Sequence, residues 1–105
     1  MTKQFNITGM VLGNLWMGGT GSYPLKKFTA KTKKEAIATA LDKLCNNKLT
    51  GTGDFNGEIG AMLRIECITT RVIKGKEYTN KEQEPIEFIG QMTEEQEEFL
   101  MEHNF

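Results

Sequence analysis

Residues 28–44, FTAKTKKEAIATALDKL, decide the fold. Phe28-Thr29-Ala30 reads as the end of a strand, and Thr32 with Glu35 three residues later forms a capping box. In that motif the Thr hydroxyl accepts from the Glu amide while the Glu carboxylate reaches back to the Thr amide. Beyond it, Ala36, Ile37, Ala40, Leu41 and Leu44 recur on one stripe of a 3.6-residue period. Lys33, Lys34, Thr39, Asp42 and Lys43 fall on the other side. The spacing predicts a helix over Lys33–Cys45, roughly 20 Å long, that stops at Asn46-Asn47. A helix with one apolar stripe must bury it, and the flanking segments supply a sheet to cover.

Upstream, residues 3–12 place Phe5, Ile7 and Val11 on one face, with Gly9 between them as a bend or bulge. Residues 13–22 read as a glycine-rich loop carrying Leu15, Trp16 and Met17. Residues 23–30, YPLKKFTA, read as a second strand with Pro24 restricted to its start or an edge. Downstream, residues 48–58 form a second glycine-rich loop, and residues 59–73 give the strongest strand signal. There Ile59, Ala61, Leu63, Ile65 and Cys67 point one way; Met62, Arg64 and Glu66 point the other. Lys74-Gly75 is a tight turn into residues 76–80. A polar link, NKEQE, leads to a short strand at Pro85–Ile89. Thr93 with Gln96 is a second capping box, opening an acidic terminal helix of about ten residues. Together these segments predict one α+β domain over residues 1–105. Its antiparallel sheet has four to five strands in the order ββαβββ, with one helix on a face and a short acidic C-terminal helix.

The composition agrees with a single mixed, turn-rich domain: 105 residues, 38% hydrophobic, with 11 Gly and 2 Pro. No run approaches the ~20 apolar residues that span a bilayer, and the N-terminus lacks a signal-peptide pattern. A cytoplasmic location without membrane contact is expected. Cys45 and Cys67 form no C-x-x-C pair and His103 has no nearby partner, so neither a metal nor a cofactor is expected. The net charge of −1 hides a segregation. Residues 1–81 hold all 13 Lys and Arg with six acids, net +7, whereas residues 82–105 hold eight Glu and no Lys or Arg, net −8.

Catalytic chemistry finds little to build on. A nucleophile–base pair would need Cys45 or Cys67 beside His103, and Cys67 falls among inward-facing Leu63 and Ile65, where a thiol is inert. Gly13-x4-Gly18 lacks the Lys-Ser/Thr of a phosphate loop and no helix start follows it; the segment Thr50–Asp54 lacks the same setting. No enzyme is expected. Two binding surfaces remain. Leu15, Trp16 and Met17 either fold back onto the core or anchor a protein partner, as Trp among apolar neighbours does at interface hot spots. Glu94, Glu95, Glu97 and Glu98 would add carboxylates facing a basic partner surface. The rival is a nucleic-acid contact through Lys26, Lys27, Lys31, Lys33, Lys34, Arg64 and Arg71, although aromatics at the spacing of an RRM platform are absent.

FTAKTKKEAIATAL, after a strand with a glycine-flanked Trp tip, resembles the strand–helix unit of many small phage-encoded α+β proteins. Over residues 3–79 the ββαββ order also resembles some anti-CRISPR proteins, without a diagnostic motif. That resemblance implies a non-catalytic, phage-encoded inhibitor, acting in the host cytoplasm as a monomer or homodimer. It would bind a nucleic-acid-processing effector such as a CRISPR nuclease and block its nucleic-acid-binding surface. The same strand–helix unit is similar to that of HicB-type antitoxins, which implies an antitoxin-like regulator instead.

Overall fold

The computed structural model describes residues 2–50 and 55–103. The chain runs β1 (Thr2–Leu15), β2 (Thr20–Pro24), β3 (Phe28–Ala30), α1 (Lys33–Cys45), β4 (Phe55–Ile73), β5 (Lys76–Gln83), β6 (Glu87–Gly90) and α2 (Glu94–His103). It is an α+β protein built on one curled antiparallel sheet of six strands. Two long strands, β1 and β4, pair along almost the whole of β1, from Thr2 opposite Thr70 to Leu15 opposite Phe55. Each outer flank is broken in two: β2 and β3 both pair with β1, and β5 and β6 both pair with β4.

That breakage corrects the expected four to five strands. Residues 23–30 are not one strand, because Leu25–Lys27 leave the ladder. The Leu25 amide donates to the Gly9 carbonyl at 2.9 Å and the Lys26 amide to the Leu49 carbonyl at 2.9 Å. Two further corrections lengthen strands at the expense of loops. Residues 13–15 and 20–22 of the expected loop are paired strand, leaving only a short tip, and the polar link after residue 80 continues β5 as far as Gln83.

Alternation along β1 and β4 sorts the core onto two faces. Phe5, Ile7 and Val11 lie opposite Cys67, Ile65 and Ala61, and with Leu63 and Ile89 they form the main core under α1. Helix α1 is capped by Thr32, whose Oγ1 accepts from the Glu35 amide at 3.0 Å. It buries Ala36, Ala40 and Leu44, and the two alanines let its backbone approach the sheet. Leu41, assigned to the stripe from its spacing, is instead 41% exposed at the stripe's margin.

The opposite face carries a smaller core of Leu12, Met62 and Leu100, joined by Met10, Ile59, Phe88 and Met92. Ile59 was expected among Ala61, Leu63 and Ile65. The β1–β4 register slips between Leu12 and Gly13, so that Leu12 faces Gly60 while Gly13 faces Glu58. Ile59 is left without a β1 partner and packs on the second face, as a bulge allows. Helix α2 covers this face and is opened by a reciprocal capping box: the Gln96 amide donates to Thr93 Oγ1 at 3.2 Å, and the Thr93 amide to Gln96 Oε1 at 3.0 Å.

Gly9 sits where β1 crosses the middle of β4, at φ +141°. No register slip occurs there, so it is not a bulge. It is instead a point of contact, since a Cβ would run into the backbone carbonyl of Met62. The molecule is 58 Å long and 26 by 18 Å across, close to the length of a 19-residue β4. Its radius of gyration, 15.6 Å, exceeds the ~13 Å of a compact chain of this size. Beyond Thr70, among the described residues, only β4 and β5 continue, as a two-stranded arm closed by Lys74 (φ 51°) and Gly75 (φ 80°), the paired positive φ values of a type I′ turn.

Candidate protein-docking site

The end of the molecule opposite the arm gathers several of the residues singled out from the sequence. The tip between β1 and β2 is closed by two backbone bonds, from the Leu15 amide to the Gly19 carbonyl and from the Gly18 amide to the Leu15 carbonyl, each 3.1 Å. It holds Trp16 69% exposed and Met17 fully exposed. Leu15 does not join them: it turns back onto the main core, with its Cδ2 2.9 Å from where a Cβ on Gly21 would stand. The apolar part of the tip is therefore Trp16 and Met17, and Leu15 is withdrawn from the set.

Helix α2 reaches this end because β6 pairs with the first part of β4, Gly90 facing Gly60. Leu100 is its fully buried residue, and that anchor fixes which way the other side chains point. Glu95, Gln96 and Phe99 face β2, forming one wall of a cleft of about 350 Å³ whose other wall is Leu12, Thr20, Gly21 and Ser22. Glu94, Glu97 and Glu98 lie toward Phe88 with Met101 and Glu102. The four expected glutamates thus divide: Glu95 faces the Trp-bearing hairpin across the cleft, and the other three form an acidic flank on the far side of the helix. Phe99 (43% exposed) and Met101 (52%) were not among the expected contact residues. With Leu100 inward, a 100° step per residue turns Phe99 aside from the core, a signal readable only once the buried residue is known.

The basic residues are not brought together in this way. Lys33 forms an ion pair with Glu87 at 3.3 Å, which commits it to holding α1 beside β6. Lys26 and Lys27 lie in the break between β2 and β3, and Lys31 and Lys34 flank the start of α1, all exposed. Arg64 and Arg71 sit at even and odd positions of β4, so they fall on opposite faces of the sheet. Lys43 is placed over the Phe28 ring, 5.2 Å from its centroid.

Below the main core, Glu58 organises the chain after α1. Its carboxylate accepts from the Leu49 amide (3.2 Å), the Thr50 amide (3.2 Å) and the Thr50 hydroxyl (3.1 Å), while its own amide donates to Asn47 Oδ1 at 3.0 Å. The remainder of the second glycine-rich loop, residues 51–54, and the side chain of His103 lie outside the described residues. Cys67 is buried and Cys45 exposed, both as free thiols. Among the described residues no group of three His, Cys, Asp or Glu is placed to hold a metal ion, and no helix is long and apolar enough to cross a membrane. Comparison with protein-family models, with curated proteins and with solved structures finds no match to this chain.

Proposed function

We propose that this protein is a non-catalytic inhibitor that docks on the nucleic-acid-binding surface of a partner protein and occupies it. The observation behind this reading is that exposed Trp16 and Met17 stand at the tip of the hairpin whose Thr20, Gly21 and Ser22 face Glu95, Gln96 and Phe99 of α2 across an open cleft. An aromatic anchor beside carboxylates suits a basic groove with apolar floor patches. The Trp supplies buried area and the glutamates take the places of phosphates. The acidic C-terminal helix is the electrostatic element of this surface and the hairpin tip is its apolar element. A defence nuclease complex of the CRISPR type, with a host-cytoplasmic phage protein as its inhibitor, is the concrete form of the proposal. The placement of Arg64 and Arg71 on opposite faces of β4 and the pairing of Lys33 with Glu87 favour it over direct nucleic-acid binding, which calls for a continuous basic track.

The test is a gel shift of the protein alone with single- and double-stranded nucleic acid at low and high salt, beside the same experiment with a CRISPR nuclease complex present. The proposal expects no shift by the protein alone and loss of the complex's nucleic-acid band as the protein is added. Salt-sensitive binding of nucleic acid by the protein itself would transfer the function to the basic residues. Replacing Glu94, Glu95, Glu97 and Glu98 by Lys removes the inhibition; inhibition that survives the change would refute the role of the acidic helix.

A further inference from the structure

Strand β5 is an edge. Among the described residues it pairs with β4 alone, and every residue from Lys76 to Gln83 is exposed. Exposed edges invite pairing with another strand, and charges along them ordinarily prevent it. On β5 the charges are arranged so that one pairing is permitted. We propose that two copies of this protein associate by antiparallel pairing of β5 with β5, centred on Thr79, to form a continuous sheet across a two-fold axis.

Two independent constraints select this register. The first is the hydrogen-bond phase. The Glu84 amide donates to the Ile65 carbonyl at 2.8 Å next to the Gln83–Glu66 pair, which makes that pair a non-hydrogen-bonded one. With no slip along the β4–β5 ladder, Glu77, Thr79, Lys81 and Gln83 direct their own N–H and C=O groups outward. A second antiparallel strand must set outward residues opposite outward residues. Centring on Thr79 does this, with Thr79 facing Thr79, Glu77 facing Lys81 and Lys81 facing Glu77. About six intermolecular backbone hydrogen bonds result, two at each such pair.

The second constraint is charge. In the same register the intervening positions set Lys76 opposite Glu82 and Tyr78 opposite Asn80. The order Lys-Glu, three uncharged residues, Lys-Glu in residues 76–82 therefore matches its own reverse with opposite sign. Glu77–Lys81 and its two-fold mate lie on one face and Lys76–Glu82 and its mate on the other, each at directly opposed positions, where unlike charges attract and like charges repel. Sliding the strands to the next permitted register, centred on Tyr78 or on Asn80, loses all of these pairs. Slipping by the odd step sets Lys76 against Lys81 or Glu77 against Glu82 and breaks the hydrogen-bond phase as well. The edge that rejects other strands by charge accepts its own copy in one alignment. The pairing lies on the half of β4 remote from Trp16, so each dimer carries the proposed docking end twice.

Sedimentation of the protein over a range of concentrations tests this. The average mass rises from 11.8 kDa toward twice that value. Glu77→Lys and Lys81→Glu each place like charges opposite one another at two positions and raise the dissociation constant about tenfold or more. An equimolar mixture of the two variants, whose edges again carry opposite charges, recovers the association, as does the double exchange within one chain. Thr79→Pro removes an outward amide that β4 does not use, and it leaves the circular dichroism intact while holding the chain at 11.8 kDa. A wild-type chain that stays monomeric throughout overturns the proposal. So does association that the single reversals leave undiminished, or that the mixture fails to restore.

Discussion

Among the described residues of α2, Leu100 is the one fully buried side chain, and removing it shows how far the docking end depends on that contact. Leu100 is fully buried against Leu12 and Met62. Leu100→Ala removes about three buried carbons, worth about 2.4 kcal/mol at roughly 0.8 per methylene, and the residual cavity raises the loss to about 3 kcal/mol. The other described α2 side chains, Glu94 to Phe99, Met101 and Glu102, are exposed or half-buried, and an isolated helix of this length is marginal in water. The loss therefore consumes most of what docks the helix. Amide hydrogen exchange reads the outcome residue by residue. In the wild type the amides of Glu97–Met101 are protected about a hundredfold, equivalent to about 3 kcal/mol. In the variant they exchange as a free chain does, while those of Ile7, Leu63 and Ile65 stay slow. Retained protection in α2, or complete loss in the central strands as well, would refute the single-anchor account.

Other substitutions probe the frame around that end. Gly9→Ala forces a Cβ into the Met62 carbonyl at a positive φ, which costs about 3 kcal/mol or more and lowers the thermal midpoint by at least ~12 °C; an unchanged midpoint would show that β1 and β4 can separate without penalty. Glu58→Gln turns an amide group toward the Leu49 and Thr50 donors and lowers stability by about 1–2 kcal/mol in denaturant titration. A midpoint equal to the wild type would mean those bonds are replaced by water without loss. Trp16→Ala, in contrast, moves the melting temperature by less than ~2 °C because the indole is mostly in solvent; a larger fall would make Trp16 part of the core.

What could be read in advance was what local chemistry decides. Thr32 with Glu35 and Thr93 with Gln96 place two helix starts within three residues of sequence, and Lys74-Gly75 places a turn. These features need no partner elsewhere in the chain. The alternation of β4 from Ala61 to Cys67 was legible for the same reason. The break at Leu25–Lys27 was not, because its amides leave the ladder for Gly9 and Leu49, acceptors distant in sequence. Ile59 changed faces through a slip that belongs to the β1–β4 pair and to neither strand alone. At the docking end, the exposed Trp16 and the glutamates were identifiable as residue types. The inward turn of Leu15 and the division of Glu95 from Glu94, Glu97 and Glu98 depend on Gly21 and Leu100, whose positions only the assembled sheet supplies. The alternating charges of β5 carried no meaning until that strand was an edge with a known hydrogen-bond phase.

In the proposed function, Trp16 at the hairpin tip acts with Glu95 across the cleft and with Glu94, Glu97 and Glu98 on the flank of α2 to displace nucleic acid from a partner protein. Competition binding tests it most directly: labelled nucleic acid bound to a CRISPR nuclease complex is titrated with wild-type protein, with Trp16→Ala and with the four-Glu-to-Lys variant. Displacement by the wild type and its loss in both variants, each still folded, is the predicted result. Displacement that both variants retain, or that is lost instead when Lys26, Lys27, Lys31 and Lys34 are replaced by Ala, would contradict it.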